Sequence, residues 1–401
     1  MNMTEMSEIK ELVLEQGKAI EEFKKQYEIR ANRPPAGGGG INSRVGQDRE
    51  MESDTPLFAI DQQNNRVPIL TKGMRLSDLP QFKQEGDEPL SLTKTVKGLV
   101  TGSWKGAERE RKAMSEGTGS LGGFFVSEQI SAQVLDLARA ASVCFKAGAL
   151  TVPMESAELT VVKISADPTA FWRGENQEIT ESDATFEPIH LKALALGCLV
   201  RVSVELLEDA QTFSNTLESA MGKALALELD RAGLLGTGSG EPRGIYSHPD
   251  INSRSLGTNG GVLRYSDFSY AVQDILTANG TPNAVIYSPR TWAQIDRWID
   301  GMGNPLQQPE SYRALEKFTT TKISDAMEQG SSEEASMAII GDFRQLMFGT
   351  RTQLILEASR TGGDSTFAKM QALIRGYLRA DVAVLRPNHF SRIVGIIPED
   401  E

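Results

Sequence analysis

LDRAGLLGTGSGEPRGIY, residues 229–246, decides how this chain is read. A helix-forming run ends there in a string of glycines, the kind of loop that can cradle a phosphate. A P-loop has the form G-x-x-x-x-G-K-[ST], because its lysine and hydroxyl make the phosphate and magnesium contacts. Here the slot five residues after Gly236 is Glu241, and no Lys-Ser or Lys-Thr pair is near. The dinucleotide pattern G-x-G-x-x-G also fails, because Gly236 and Gly238 lead again to Glu241 in the last slot. A Rossmann loop follows a strand and opens a helix, whereas this one follows a helix, whose C-terminal end repels phosphate. The stretch therefore reads as a corner that redirects the chain.

Working back from the corner, SNTLESAMGKALALELD (214–230) carries a helical stripe of Leu217, Met221, Ala224, Leu225 and Leu229. Asn215 with Glu218 resembles a capping box, and Gly236 supplies the left-handed stop. Roughly 20 residues of helix would span about 30 Å. Farther upstream, SEQISAQVLDLARAASV (127–143) has a helical stripe of Ile130, Val134, Leu137, Ala138 and Ala141. ELTVVKI (158–164) reads as a strand, residues 170–188 as a polar loop flanked by aromatics, and 189–207 as a long strand-tolerant run. Together they predict an extended hairpin with its tip near 171–186. Downstream, the pattern alternates: a helix over 265–276, a strand at 283–288, and a helix opened by Ser288 as N-cap and Pro289 as N1. Residues 335–359 read as three short strands broken at Gly341 and Gly349, and 367–394 as two more around Pro387. The class is α+β with a mixed or antiparallel sheet.

The 401 residues carry 42 Lys and Arg against 54 Asp and Glu, a net charge of -12. Residues 1–112 are balanced, with 18 of each sign, so the acidic excess belongs to the remainder. An acidic body is a poor general nucleic-acid binder, because neutralising phosphate takes an excess of Lys and Arg. No apolar run reaches the roughly 18 residues of a membrane span, and the acidic N-terminus lacks the layout of a signal peptide. Cys144 and Cys198 are the only cysteines, each in an apolar stretch, which fits folding in a reducing cytoplasm without disulfides.

Met6, Ile9, Val13, Gln16, Ile20, Phe23 and Tyr27 form a heptad seam interrupted by the polar Gln16 and weakened by Gly17. The seam fits self-association and fits a lone amphipathic helix equally well. RPPAGGGGINSR (33–44) follows as a flexible tether. Residues 41–112 are polar and weakly patterned, with short strands possible in 56–80 but no strong core expected. GAERERKAMSEGTGSLGG (106–123) marks a composition break before a compact body.

No catalytic constellation emerges. His190, His248 and His389 are far apart and lack the close ligand pairs of a metal site. The two cysteines read as buried small hydrophobes. GTGSGEP lacks the strand-to-helix setting of a nucleophile elbow. No cofactor is expected.

Several segments in fixed order nevertheless carry a resemblance. GSLGGFFVSEQIS (119–131), the aromatic-Gly-Glu loop AFWRGENQEITESDATFEPIHLKALAL (170–196), VRVSVELLEDA (200–210) with its E-L-L-E-D helix start, and the glycine corner come first. NAVIYSPRTWAQI (283–295), IIGDFRQLMFG (339–349) and RGYLRADVAVLRP (375–387) follow. Across about residues 118–395 this order resembles the major capsid proteins of tailed bacteriophages with the Hong Kong 97-type fold.

The resemblance implies an α+β Hong Kong 97-type fold with a peripheral domain, an axial domain, a long spine helix and an extended hairpin arm. Residues 113–261 would supply the N-terminal segment, the arm (about 155–200) and the peripheral domain with its spine helix (about 215–235). Residues 262–355 would form the axial domain, and 356–401 the strands returning to the peripheral domain. Residues 1–112 would be a built-in scaffold, with Ile9, Val13, Ile20, Phe23 and Tyr27 on its helix seam. A phage protease would remove it within Arg109–Gly119, with Arg111, Lys112, Ala113, Met114 and Ser115 as candidate junction residues. Phe171, Trp172, Glu175 and Phe186 are candidate arm contacts to a neighbouring subunit, since aromatics are frequent interface anchors; packing within their own subunit is the competing role.

The implied function is a structural major capsid protein that self-assembles into the pentamers and hexamers of an icosahedral head. Its partners would be copies of itself, a portal, a maturation protease and non-specifically held double-stranded DNA, with no membrane. It would reside in the virion after assembly in the host cytoplasm. An encapsulin-like cellular compartment is the alternative, which residues 1–112 disfavour, and a soluble enzyme is disfavoured by the missing constellation. Some members of the family link a lysine in the arm to an asparagine in the peripheral domain, aided by a glutamate. Residues 172–188 contain no lysine, and 368–384 contain neither asparagine nor glutamate. Particles boiled under reducing conditions should therefore run as single chains on a denaturing gel, and a ladder of covalent multimers would overturn this.

Overall fold

Helix α4 (Phe213–Leu235) is the longest helix described and organises what surrounds it. The computed structural model describes residues 58–60, 66–79, 90, 94–95, 97–98, 102–115, 124–125, 128–154, 156–166, 185–203, 205, 213–351, 355–359 and 369–399. The helix begins at Phe213, so Asn215 lies inside its first turn rather than at its cap. Met221, Leu225, Ala226 and Leu229 are buried, while Ala224, expected on the same stripe, faces solvent.

Helix α4 shares its core with α2 (Glu128–Ala141) and with a six-stranded mixed sheet. In that sheet β3 (Phe124–Phe125) pairs with β15 (Ile355–Ser359), β15 with β16 (Gln371–Val384), and β16 with β14 (Leu346–Arg351). β4 (Leu150–Met154) lies beyond β14, and β7 (Leu194–Ser203) pairs with the remaining side of β16. β16 alternates strictly over most of its length: Ala372, Ile374 and Leu378 are buried while Arg375 and Arg379 are exposed. One covered face and one bare face is what a period of two residues produces. Gly349 does not break a strand as expected but lies inside β14, where a Cβ would stand 2.7 Å from Met154 Sδ.

A second, seven-stranded sheet runs β11 (Glu316–Thr319), β10 (Ala284–Tyr287), β13 (Ser332–Gly341), β17 (Phe390–Ile397), β8 (Asn252–Ser255). β12 (Met327–Gln329) and β9 (Gly261–Val262) attach to it. Helices α5 (Tyr265–Thr277), α6 (Pro289–Asp296) and α7 (Glu310–Arg313) accompany this sheet; one core on it holds Phe268, Ile275, Tyr287 and Tyr312, while Ile286, Met337 and Ile339 join the core of α2 and α4. Ser288 caps α6 as expected, its side chain accepting from Thr291 N–H. The C-terminal strands do not return to one domain as a block: β16 sits in the six-stranded sheet, β17 in the seven-stranded one.

The chain thus passes between the sheets three times, from β7 through α4 to β8, from β13 to β14 and from β16 to β17, and the last two passages form one crossing. Asn283 fastens the crossing. Its Nδ2 donates to Ala147 O at 2.6 Å, and its Oδ1 accepts from Phe343 N–H at 2.9 Å. Asp342 N–H donates to His389 O at 3.1 Å, and Phe343 packs edge-on against Phe390. A second polar clasp lies under α4. The buried Asp230 carboxylate accepts from Ser142 Oγ at 2.5 Å and from Val143 and Cys144 N–H at 2.8 and 3.0 Å. It thereby caps the short helix α3 (Val143–Lys146) from another element.

The segment before residue 112, expected to lack a core, is part of this body where it is described. β1 (Phe58–Ile60) and β2 (Arg66–Pro68) pair antiparallel, and Val67, Ile69, Leu70 and Leu76 are all buried. Four buried aliphatic side chains represent about 6–12 kcal/mol of apolar burial, an upper estimate. That is the size of a whole domain's net stability, about 5–15 kcal/mol.

Asn283→Ala should cost about 1–3 kcal/mol, because Ala147 O and Phe343 N–H then lose their partner. Asn283→Asp should not restore stability, since a carboxylate cannot donate to Ala147 O. Urea midpoints measure both, and an unchanged midpoint would remove Asn283 from this role.

Candidate functional site

The glycine corner is built as a stop for α4. The returning chain satisfies carbonyls that the end of a helix leaves open. Ile245 N–H donates to Gly233 O at 2.9 Å, Tyr246 N–H to Leu234 O at 2.8 Å, and Gly244 N–H to Gly236 O at 2.9 Å. This closeness explains the glycines at its base: a Cβ on Gly236 would stand 2.1 Å from Pro242 O, and one on Gly244 2.5 Å from Ala232 O. Glu241, which broke both phosphate motifs, faces inward. It accepts from Thr237 N–H and Oγ1, each at 2.9 Å, and pairs with Arg231, which also holds Glu228 at 2.7 Å. The Arg231 guanidinium, together with the Thr237 donors, holds the Glu241 carboxyl down at about 2. A carboxylate already occupies the place an anion would take, so the loop is a corner, as its sequence implies.

The predicted hairpin starts where the sequence places it. β5 (Glu158–Ala166) and β6 (Thr185–Lys192) pair antiparallel, with Leu159 opposite Leu191 and Ile164 opposite Phe186. Lys163 and Glu187 form an ion pair at 3.0 Å across the two strands. The long run after residue 185 is two strands, not one: at Ala193 the chain leaves the two-stranded β5–β6 sheet and enters the six-stranded sheet as β7. Of the four candidate arm contacts, only Phe186 falls among the described residues, as a backbone position in β6. Phe171, Trp172 and Glu175 lie outside them, as do the seam residues Ile9, Val13, Ile20, Phe23 and Tyr27.

Below the arm, β7 presents Leu199 to solvent at 65% exposure, beside the exposed Arg201. Across the register, Leu199 stands opposite Arg375 and Arg201 opposite Leu373. A second apolar protrusion rises beside the seven-stranded sheet. The Asp300 carboxylate accepts from Met302 and Asn304 N–H at 2.8 and 2.9 Å, which lowers its pKa and folds a tight loop. That loop leaves Met302 89% exposed, with Ile299 and Leu306 exposed beside it. Sequence reasoning missed this cluster because its apolar residues follow neither a helical nor a strand period.

The candidate junction is not a loop where it is described. Arg111, Lys112, Ala113, Met114 and Ser115 lie in α1 (Glu108–Ser115), with Arg111 and Lys112 exposed. Three acidic or basic neighbours at helical spacing, Glu108, Arg111 and Lys112, could have signalled it.

The groups screened for chemistry stay apart. His190 sits on β6 with Nδ1 3.1 Å from Thr160 Oγ1, His248 is half-buried 3.9 Å from Asp250, and His389 is buried at the crossing. Burial pushes the Cys144 thiol up, which disfavours the reactive thiolate. Among the described residues no group of three His, Cys, Asp or Glu could hold a metal ion, and no helix is long and apolar enough to cross a membrane.

Comparison with known proteins gives consistent matches. The sequence pattern of the phage capsid family matches residues 122–395. The major capsid protein of Klebsiella oxytoca phage phiKO2 is 23% identical over 305 residues, covering 71% of this chain and 71% of the relative. Among solved structures, the capsid of an empty GTA particle, computed with C5 symmetry, superposes with a TM-score of 0.50 at 16% identity. It covers 66% of this chain and 90% of that one. A structure from Mycobacterium phage Adephagia gives 0.48 at 16% identity, with 66% and 90% covered.

The Glu241 clasp has a pH signature. Its carboxyl is depressed on folding, so its contribution is present above about pH 4.5, the ordinary value, and fades as pH falls through about 2. Glu241→Gln should lower stability at neutral pH by no more than about 1 kcal/mol, because the pair is partly solvated. The difference from wild type should vanish near pH 2. Thermal melts of both chains from pH 7 to 2 measure this, and a constant difference would contradict it.

Proposed function

The chain belongs to the phage capsid family, and we propose that it is the major capsid protein of a phage, the subunit that builds the head by associating with copies of itself. One observation carries this reading: the family pattern extends from residue 122 to 395, through both sheets, all three passages between them and the β5–β6 pair. The solved capsid that shares the fold supports it.

In this reading the six-stranded sheet with α4 is the peripheral domain, and α4 is its spine helix. The seven-stranded sheet is the axial domain, and residues 156–192 are the root of an arm laid over a neighbour. Heterologous contacts of this kind close into rings when their rotation closes, which gives pentamers and hexamers. The exposed loop around Met302 and the bare face around Leu199 are the kind of apolar surface such contacts cover. Arg111–Ser115 remains the proposed protease junction, and residues 1–112 the proposed scaffold. Portal and protease are the proposed partners. Packaged duplex DNA is held without sequence preference, against a body whose acidic excess limits adhesion. Assembly takes place in the host cytoplasm. The subunit is not an enzyme.

The cellular-compartment alternative is less well supported, because the matching relative is a phage capsid protein. Sedimentation velocity on the purified full chain separates the readings from a monomeric protein. The wild type should sediment as large closed particles. A variant with residues 167–184 replaced by a short turn should keep the same circular dichroism and sediment as small oligomers. Particles of unchanged size from that variant would remove the arm from assembly.

A further inference from the structure

Residues 66–79 are held the way a bound peptide is held. At one end they pair with the edge of β4: Leu70 N–H donates to Thr151 O at 2.8 Å, and Thr151 N–H to Leu70 O at 2.9 Å. At the other end they make a 3-10 turn, Leu76–Asp78, capped from α2. The Asp136 carboxylate accepts from Leu76 N–H at 2.8 Å, Ser77 N–H at 3.1 Å and Ser77 Oγ at 2.9 Å. One turn on, Arg139 donates to Met74 O at 2.9 Å and to Thr71 O at 3.3 Å.

The side chains go to two different places. Leu70 and Leu76 enter the core shared by α2, α4 and the six-stranded sheet. Val67 and Ile69 enter a separate cluster with Leu159, Val161 and Leu191, at the root of the arm. Lys72 reaches Glu316 of β11 at 3.0 Å. The strap therefore touches the arm root, α2 and the edge of the second sheet.

The partner groups named here, Asp136, Arg139, Thr151, Leu159, Val161, Leu191 and Glu316, all come from residues after 127. These receiving groups thus lie on the C-terminal side of the Arg109–Gly119 junction, whereas β1, which pairs with Arg66–Pro68, lies in the same fragment as the strap. We infer that α2, the β4 edge and the arm root form a binding surface for the segment 66–79 of the same chain, and that a cut at the junction leaves this strap seated. This rests on the capsid reading only for the natural cut; the binding surface stands without it. Cutting the junction would then not by itself strip the N-terminal segment from the body, and releasing the part that precedes the strap would take a second cut before residue 66.

The test uses the full chain with a specific protease site inserted after Gly119. After cleavage, the N-terminal fragment should co-elute one-to-one with the body on gel filtration and separate from it in denaturant. In a Leu76→Asp version the fragment should be released, and because the substitution lies in the fragment, the sequence of the body is unchanged. Separate elution of the wild-type fragment would overturn the inference. So would retention of both fragments, which would place the hold elsewhere. The engineered cut keeps this result independent of whether a phage protease acts, and shell assembly is scored separately.

Discussion

The structure depends on two of the chain's three passages between its sheets meeting at a single place. β13 must end and β14 begin within the few residues after Gly341, and β16 must hand over to β17 around Pro387. Both passages meet where Asn283 joins Ala147 O to Phe343 N–H and where Phe343 packs on Phe390. One face of the seven-stranded sheet, with Ile286, Met337, Ile339 and Phe390, shares its core with α2, α4 and the six-stranded sheet, and the junction adds directed hydrogen bonds to that shared packing. A shell subunit needs such a point, because every copy must present its surfaces in the same relative positions for rings to close.

How much of this was legible depended on period. α2, α4, α5, α6 and the later strands show helical or alternating patterns, and their positions follow from side-chain geometry alone. The glycine corner was legible for a different reason. A glutamate in the phosphate slot excluded a nucleotide, and the same Glu241 turned out to tie the loop to Arg231.

Other features were hidden because their partners are distant in sequence. Asp230 is an ordinary acid on a helix until α3 brings three donors to it. Val67, Ile69, Leu70 and Leu76 lie in a polar stretch, and their burial is decided by α2 and the arm root, not by neighbours in sequence. The resemblance placed 356–401 in one domain, but β17 pairs with β13 and β8 in the seven-stranded sheet, a pairing with partners distant in sequence. The pairing of β5 with β6 was legible from the aromatic-flanked polar stretch of sequence between them. Ala193, where the chain joins the six-stranded sheet, carries no local signal.

The central claim is that this subunit closes into a shell, with the arm of one copy on the next. Cryo-electron microscopy of the full chain expressed alone tests it most directly. The account predicts closed particles of uniform size built from five- and six-fold rings, with each arm extending from residues 156–192 across a neighbour. Dispersed monomers or dimers under every assembly condition would contradict it.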